Sequence, residues 1–347
     1  MTEATPDSGA WFERITGQIQ PLIPGMMVAS VIALASQFVS EHYGAPAMLL
    51  ALLFGISMNF LSSEPRCAPG VSFAAKKLLR IGVALLGLRI SFEMIAALGV
   101  PVLVMIVLAV LLTIGFGLAV SRIFGFRYRF AFLSAGAVAI CGASAAMAIA
   151  AILPKDERSE ERLVFTVVGV TILSTVAMVV YPVISGALNF DDHTAGIYIG
   201  ATIHDVAQVV GAGFSISQDA GETATLVKLL RVSMLAPVVI AGLIAVRTFS
   251  GSEAADGERP PLVPFFVVAF VLLAIANSTM PIPAAISDAV SWASRAALLV
   301  AIAAVGLKTV PQDLMKVGGA AAMLLLAETL FLAIFVGVAL KFVLPLL

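Results

Sequence analysis

The chain has 347 residues, 61% of them hydrophobic and 12% charged, with a formal net charge of −1 and a mean hydropathy of +1.07. A soluble domain is nearer half apolar and a quarter charged, so that class is excluded, and the absence of a basic patch argues against nucleic acid as a partner. Apolar runs of about 20 residues recur from end to end, which predicts an all-α polytopic membrane protein. The runs lack the period-2 alternation of a transmembrane barrel. Cys67 and Cys141 are too few for a disulfide framework.

Residues 1–20 carry Trp11, Phe12, Ile15 and Ile19 at helical spacing. They read as a cytoplasmic or interfacial N-terminal segment, with an amphipathic helix or a loose tail both open. Ala33-Leu-Ala35 mimics a signal-peptidase site. The region before it carries Glu3, Asp7 and Glu13 rather than a basic cluster, so the first apolar run, within 21–45, reads as a retained helix. In all, about eleven hydrophobic segments are predicted: 21–39, 46–61, 71–90, 94–120, 130–153, 163–186, 194–216, 224–247, 262–280, 284–307 and 319–346. The longest polar joint is the linker at 248–261, rich in Ser, Gly, Ala and acids.

Arg122, Arg127 and Arg129 share one short loop, which the positive-inside rule places in the cytoplasm. Counting outward gives a cytoplasmic N-terminus, and an inner-membrane location is expected. One loop disagrees. Pro154-Lys-Asp-Glu-Arg-Ser-Glu-Glu-Arg162 falls outside despite three basic residues. Either its acids blunt the rule, or the segments at 130–153 and 194–216 re-enter the membrane rather than crossing it.

Within the fifth segment, Cys141-Gly142-Ala143-Ser144 is a run of small residues. It reads either as a helix break whose free N–H groups hold an anion, with Ser144 adding a hydroxyl, or as close helix packing. The stretch Gly200 to Gly213 sets His204, Asp205 and Gln208 in an otherwise apolar run. An ionisable group at bilayer depth costs roughly 2.5–3.5 kcal/mol on insertion scales, so such groups tend to face a cavity or a partner. These three are expected to gate or couple transport, a structural hydrogen-bonded cluster being the plainer reading. Lys228 and Arg231 lie about a turn inside the eighth segment, where they can hold an anion by charge-assisted hydrogen bonds or snorkel to the interface. Glu328, mid-span in the last segment, is a proton-coupling candidate or a structural hydrogen-bond acceptor. No catalytic nucleophile–base pair, Walker loop or metal-ligand set is apparent, so neither an enzyme nor a cofactor is expected.

Lys77-Leu-Leu-Arg80-Ile81 recurs as Lys228-Leu-Leu-Arg231-Val232, and Cys141-Gly-Ala-Ser-Ala-Ala146 aligns with Trp292-Ala-Ser-Arg-Ala-Ala297 at the same offset. This pairs a first membrane repeat, 46–187, with a second, 188–347, after one extra N-terminal helix. Five segments per copy is odd, so the repeat is expected to be inverted, with discontinuous helices, as in many secondary transporters. A competing offset pairs Gly87-Leu-Arg89 with Gly306-Leu-Lys308.

The stretches Ile140-Cys-Gly-Ala-Ser-Ala145, Thr202-Ile-His-Asp-Val-Ala-Gln208, Lys228-Leu-Leu-Arg231-Val232 and Leu85-Leu-Gly-Leu-Arg89 resemble the YeiH-type bacterial membrane proteins, a family that carries a sulfate-exporter label. The likeness runs over nearly the whole chain from about residue 25. It implies kinship with cation/proton antiporters and bile-acid-type symporters, five-plus-five inverted repeats and elevator-like movement. The expected function is a secondary active transporter, an exporter of a small inorganic oxyanion such as sulfate or sulfite, coupled to protons. Cys141, Gly142, Ala143, Ser144, Lys228 and Arg231 are expected to bind the anion, and His204, Asp205, Gln208 and Glu328 to couple or gate it. A sodium-coupled organic-acid or sulfonate symporter and a passive anion channel stay open, as does a homodimer.

Overall fold

A computed structural model describes residues 20–43, 45–154, 156–250, 265–280, 282–309 and 319–344. The predicted N-terminal stripe and linker residues 251–261 lie outside these. The described residues form helices joined by turns, with no strand among them. In chain order the α-helices are α1 (Ile23–Tyr43), α2 (Ala47–Ser57), α3 (Ala68–Phe73), α4 (Leu79–Leu86), α5 (Phe92–Val120), α6 (Tyr128–Ala139), α7 (Ala143–Ala150) and α8 (Ser159–Ala187). There follow α9 (Asp192–Thr202), α10 (Val206–Ile216), α11 (Gln218–Ser233), α12 (Leu235–Ser250), α13 (Phe265–Thr279), α14 (Ala284–Lys308) and α15 (Gly319–Val338). Six stretches are long and apolar enough to cross a bilayer: Gln20–Tyr43, Ala96–Val120, Glu161–Ala187, Gln218–Val246, Ala284–Lys308 and Gly319–Val343. The expected all-α, polytopic architecture is therefore present.

Local chemistry sets the helix boundaries. Ser91, Asp191 and Ser217 cap α5, α9 and α11 by accepting from Met94, Thr194 and Ala220 N–H groups. Within α5, Gly99 takes φ 72° two residues before Pro101, and the helix kinks there because the proline supplies no N–H to the ladder.

The chain divides into two compact units, residues 1–82 with 295–310, and residues 83–294 with 311–347. In the first, Gly25 and Gly70 back onto each other's helices, and so do Gly55 and Gly306. A Cβ at any of the four would strike backbone. Bilayers offer no hydrophobic drive between helices, so this close van der Waals approach holds them together.

The second unit is organised around α11. Its sequence is barely hydrophobic, yet residues 220–229 are all buried, Glu222, Thr223, Thr225 and Lys228 among them. Gly196 and Gly200 of α9 pack on Ala220 and Ala224, and Gly213 of α10 packs on Gly221. Small residues on both sides let three backbones come together around a polar helix.

Candidate functional site

The two segments whose path the sequence left open are both interrupted at mid-length, at 140–142 and 203–205. Gly142 adopts φ 62°, ψ −123°, a region that only glycine enters cheaply. At each break the chain reverses direction. Gly136 of α6 packs against Ile149 of α7, residues that a straight helix would hold about 20 Å apart. At the outer ends, Arg129 Nη1 reaches Asp156 Oδ2 at 3.0 Å, where an uninterrupted helix would separate them by roughly 40 Å. In the second segment, Gly196 and Gly213 both contact Ala220. So α6/α7 and α9/α10 are helical hairpins. The single long span α8 lies between them in the chain, so they enter from opposite ends.

Their tips meet. Arg231 of α11 is completely buried, and all five of its N–H donors point at backbone carbonyls. Nε donates to Ala139 (3.0 Å), Nη1 to Gly200 (3.2 Å) and Ile203 (3.1 Å), and Nη2 to Val138 (3.0 Å) and Ala139 (2.6 Å). Lys228 Nζ, also fully buried, donates to Ile140 O (2.8 Å) and Ile203 O (2.9 Å). These are the last carbonyls of α6 and α9, the negative ends of two helix dipoles. The two cations thus neutralise both inward-running arms and tie the tips together. In this arrangement the five Arg231 donors are all taken up by the carbonyls that two broken helices leave in a water-poor core, while Lys228 keeps one of its three donors beyond its two carbonyl bonds.

The positive ends belong to the returning arms. The first-turn N–H groups of α7 and α10 have no intrahelical acceptor. At α7, Ala143 and Ser144 are half-buried, and the Ser144 hydroxyl makes no hydrogen bond among the described residues. Cys141 is buried beside the Ala145 amide, and Gly142 approaches the His204 carbonyl. Asp205 is half-buried at the start of α10 and lies within electrostatic range of Lys228. Its backbone N–H donates to Ser174 Oγ at 3.1 Å.

His204 is wired rather than free. Its Nδ1 lies 3.1 Å from Val138 O and its Nε2 2.9 Å from Thr329 Oγ1. A carbonyl only accepts, so Nδ1 carries the proton, and in the neutral ring Nε2 accepts from Thr329. Gln208 Nε2 donates to Thr175 Oγ1 at 3.4 Å, while its buried Oε1 has no partner among the described residues. Glu328 of α15 is completely buried. Oε1 accepts from Ser134 Oγ of α6 at 2.8 Å and lies against Gly117 of α5, and Oε2 has no partner among the described residues. The hydroxyls of Ser134, Ser174, Thr175 and Thr329 were not singled out in the sequence. For Ser174 and Thr175 a signal was available in α8, where they follow Thr171 as a polar cluster in a largely apolar span. His193 lies at the outer end of the second hairpin, 3.4 Å from Thr223 Oγ1 and away from the tips.

A family described as conserved hypothetical protein 698 matches residues 22–327. The chain is 56% identical over 325 residues to the UPF0324 membrane protein TauZ of Paracoccus denitrificans, covering 93% of this chain and 96% of that one. It is 54% identical to a UPF0324 membrane protein, RB0971, of Rhizobium meliloti over 90% of this chain and 91% of the relative. It is 36% identical to the UPF0324 inner membrane protein YeiH of Escherichia coli over 91% and 92%. No solved structure matches.

Proposed function

This chain belongs to the UPF0324 family of membrane proteins, and from that premise we propose that it is a secondary active transporter of a small oxyanion, not an enzyme, in the bacterial inner membrane. The observation that carries the reading is the pair of opposed hairpin tips, with Lys228 and Arg231 locking the negative helix ends and leaving the positive ones unlocked. An oxyanion at the start of α7 would take N–H groups of Ala143 and Ser144 and the Ser144 hydroxyl. Asp205 beside it would repel a second negative charge unless it carried a proton, which is a direct route to proton coupling. Glu328, with one oxygen unpartnered, is the second candidate proton carrier.

Two hairpins entering from opposite ends also support an inverted repeat, although they are segments five and seven of the predicted count rather than partners at either offset weighed from the sequence. They bring the loop at 154–162 to the side of Arg122, Arg127 and Arg129, so the loop that disagreed with the positive-inside rule joins the basic face, which favours a cytoplasmic N-terminus. A sulfonate shares the charged oxygen face of sulfate and sulfite, so a sulfonate such as taurine is tested alongside them.

The test is uptake of radiolabelled sulfate, sulfite and taurine into proteoliposomes under an imposed pH gradient. One of them is expected to be driven. Ser144→Ala should reduce its flux at least several-fold, and Asp205→Asn should abolish the response to the gradient. Gradient-independent flux of all three by the wild type would overturn the proposal. A sodium-coupled symporter is the second reading, favoured by the unpartnered buried oxygens of Gln208 and Glu328, since oxygen ligands suit a hard cation. Sodium dependence at constant pH would select it.

A further inference from the structure

Where the first hairpin leaves the bilayer, a cavity of about 1360 Å³ opens between the start of α6, the start of α8 and the start of α15. Four arginines line it: Arg127, Arg129, Arg158 and Arg162. Asp156 engages two of them, Arg129 at 3.0 Å and Arg162 in a close ion pair, and so staples α6 to α8. The side chains of Arg127 and Arg158 make no hydrogen bond or ion pair with any described residue. Against the acids Asp156 and Glu161, the lining keeps an excess of positive charge.

Farther along α8 the lining changes in kind. Phe165 and Val168 contribute there, and the cavity reaches past the first two turns of α8, while Tyr128 stays beside Arg129, whose Nε donates to its hydroxyl. Val164, also in the lining, is 62% exposed on that apolar helix, so this side offers an open apolar surface. Guanidinium groups at one end and an apolar surface at the other match an amphipathic anion. Basic pockets between membrane helices at the positively charged face have the chemistry that takes phospholipid head groups. Arginine suits a phosphoryl group because its planar fork can donate two parallel bonds.

We infer that this cavity binds a phosphoryl group, with Arg127 and Arg158 as its direct ligands, carried by an anionic phospholipid of the surrounding leaflet or by free phosphate. The bound group would sit against the Asp156 staple and so brace the base of the first hairpin. The inference does not depend on what the protein transports.

The test uses full-length protein in phosphatidylcholine bilayers, alone, with phosphatidylglycerol added, or with inorganic phosphate added. The readouts are lipid retained in native mass spectrometry and the shift in melting temperature. Each basic residue at an anionic surface is worth about fivefold in affinity, so Arg127→Ala with Arg158→Ala should weaken binding roughly 30-fold. Both residues are exposed, and the pair should fold, as its melting temperature in phosphatidylcholine alone would verify. Phosphatidylglycerol retained by the wild type and lost from the double variant supports the lipid source. Stabilisation by inorganic phosphate alone, lost in the variant, supports the free anion. Equal responses of wild type and variant to both probes would overturn the inference, and so would no response by either.

Discussion

Arg231 and Gly142 are single residues on which the meeting of the two hairpin tips depends, and each has a distinct failure mode. Replacing Arg231 by Met keeps the volume but strands the carbonyls of Ala139 and Gly200 in a dry core, while Val138 O keeps the His204 Nδ1–H. One stranded buried acceptor costs about 1–3 kcal/mol, so the variant should lose about 3 kcal/mol or more and melt well below wild type. Arg231→Lys should recover part of this, because three donors replace five. Gly142→Ala should be milder, about 1–3 kcal/mol, because its φ/ψ pair is strained for any Cβ while the neighbours it would touch are no closer than 3.6 Å. Both are read by thermal unfolding in detergent. The sequence singled out Lys228 and Arg231 because buried cations are costly, and that was sound. Their role was not legible there, because their partners are backbone carbonyls, which every residue carries. The same holds for His204, whose depth was readable and whose partners, Val138 and Thr329, come from other helices.

The hairpins are where sequence length misleads. Residues 130–153 and 194–216 are each long enough for one span, and nothing in their hydropathy distinguishes one crossing from two half-length arms. The turn resides in backbone angles at Gly142 and in the extended Ile203 (φ −67°, ψ 141°). Two clues were legible: the small-residue run at 141–144, for which a helix break was one of two readings, and the basic loop at 154–162 on the wrong side. Re-entry makes a sharp prediction. In a background with Cys67 and Cys141 replaced by Ser, Arg122→Cys and Glu157→Cys should both react with a membrane-impermeant thiol reagent from the same face, and Asp219→Cys from the opposite one. Labelling of positions 122 and 157 from opposite faces would mean a crossing helix. The Asp156 staple adds a pH dependence. Hydrogen bonds from Arg162, Ser159 and the Arg158 amide hold its carboxyl down to about 2, against an unfolded value of about 3.9. A depressed folded value stabilises above the unfolded pKa and fades as pH falls toward about 2. Wild-type melting temperature should therefore drop a little more steeply below pH 4 than that of Asp156→Asn.

For the molecule as a whole, one structural unit carries the hairpin tips, Lys228, Arg231, His204, Asp205, Gln208 and Glu328 together, so substrate and coupling groups can respond to each other. Transport coupled to protons requires that anion and proton affinities be linked, and the linkage must be reciprocal. If Asp205 must be protonated for an oxyanion to sit at the α7 end, then raising the anion concentration should favour proton uptake, and lowering pH should tighten the anion. This is measurable without flux. The apparent dissociation constant of the transported anion, read by thermal shift in detergent, should fall about tenfold per pH unit wherever one proton must be bound first. Asp205→Asn mimics the protonated side chain, so its affinity should be high and flat across the same range. Glu328→Gln separates the two carboxyls. If Glu328 is the coupling proton site instead, Glu328→Gln flattens the profile and Asp205→Asn leaves the slope intact. A slope that survives both substitutions would remove these carboxyls from the coupling, leaving a protein that binds anions at a pair of helix ends by dipole alone.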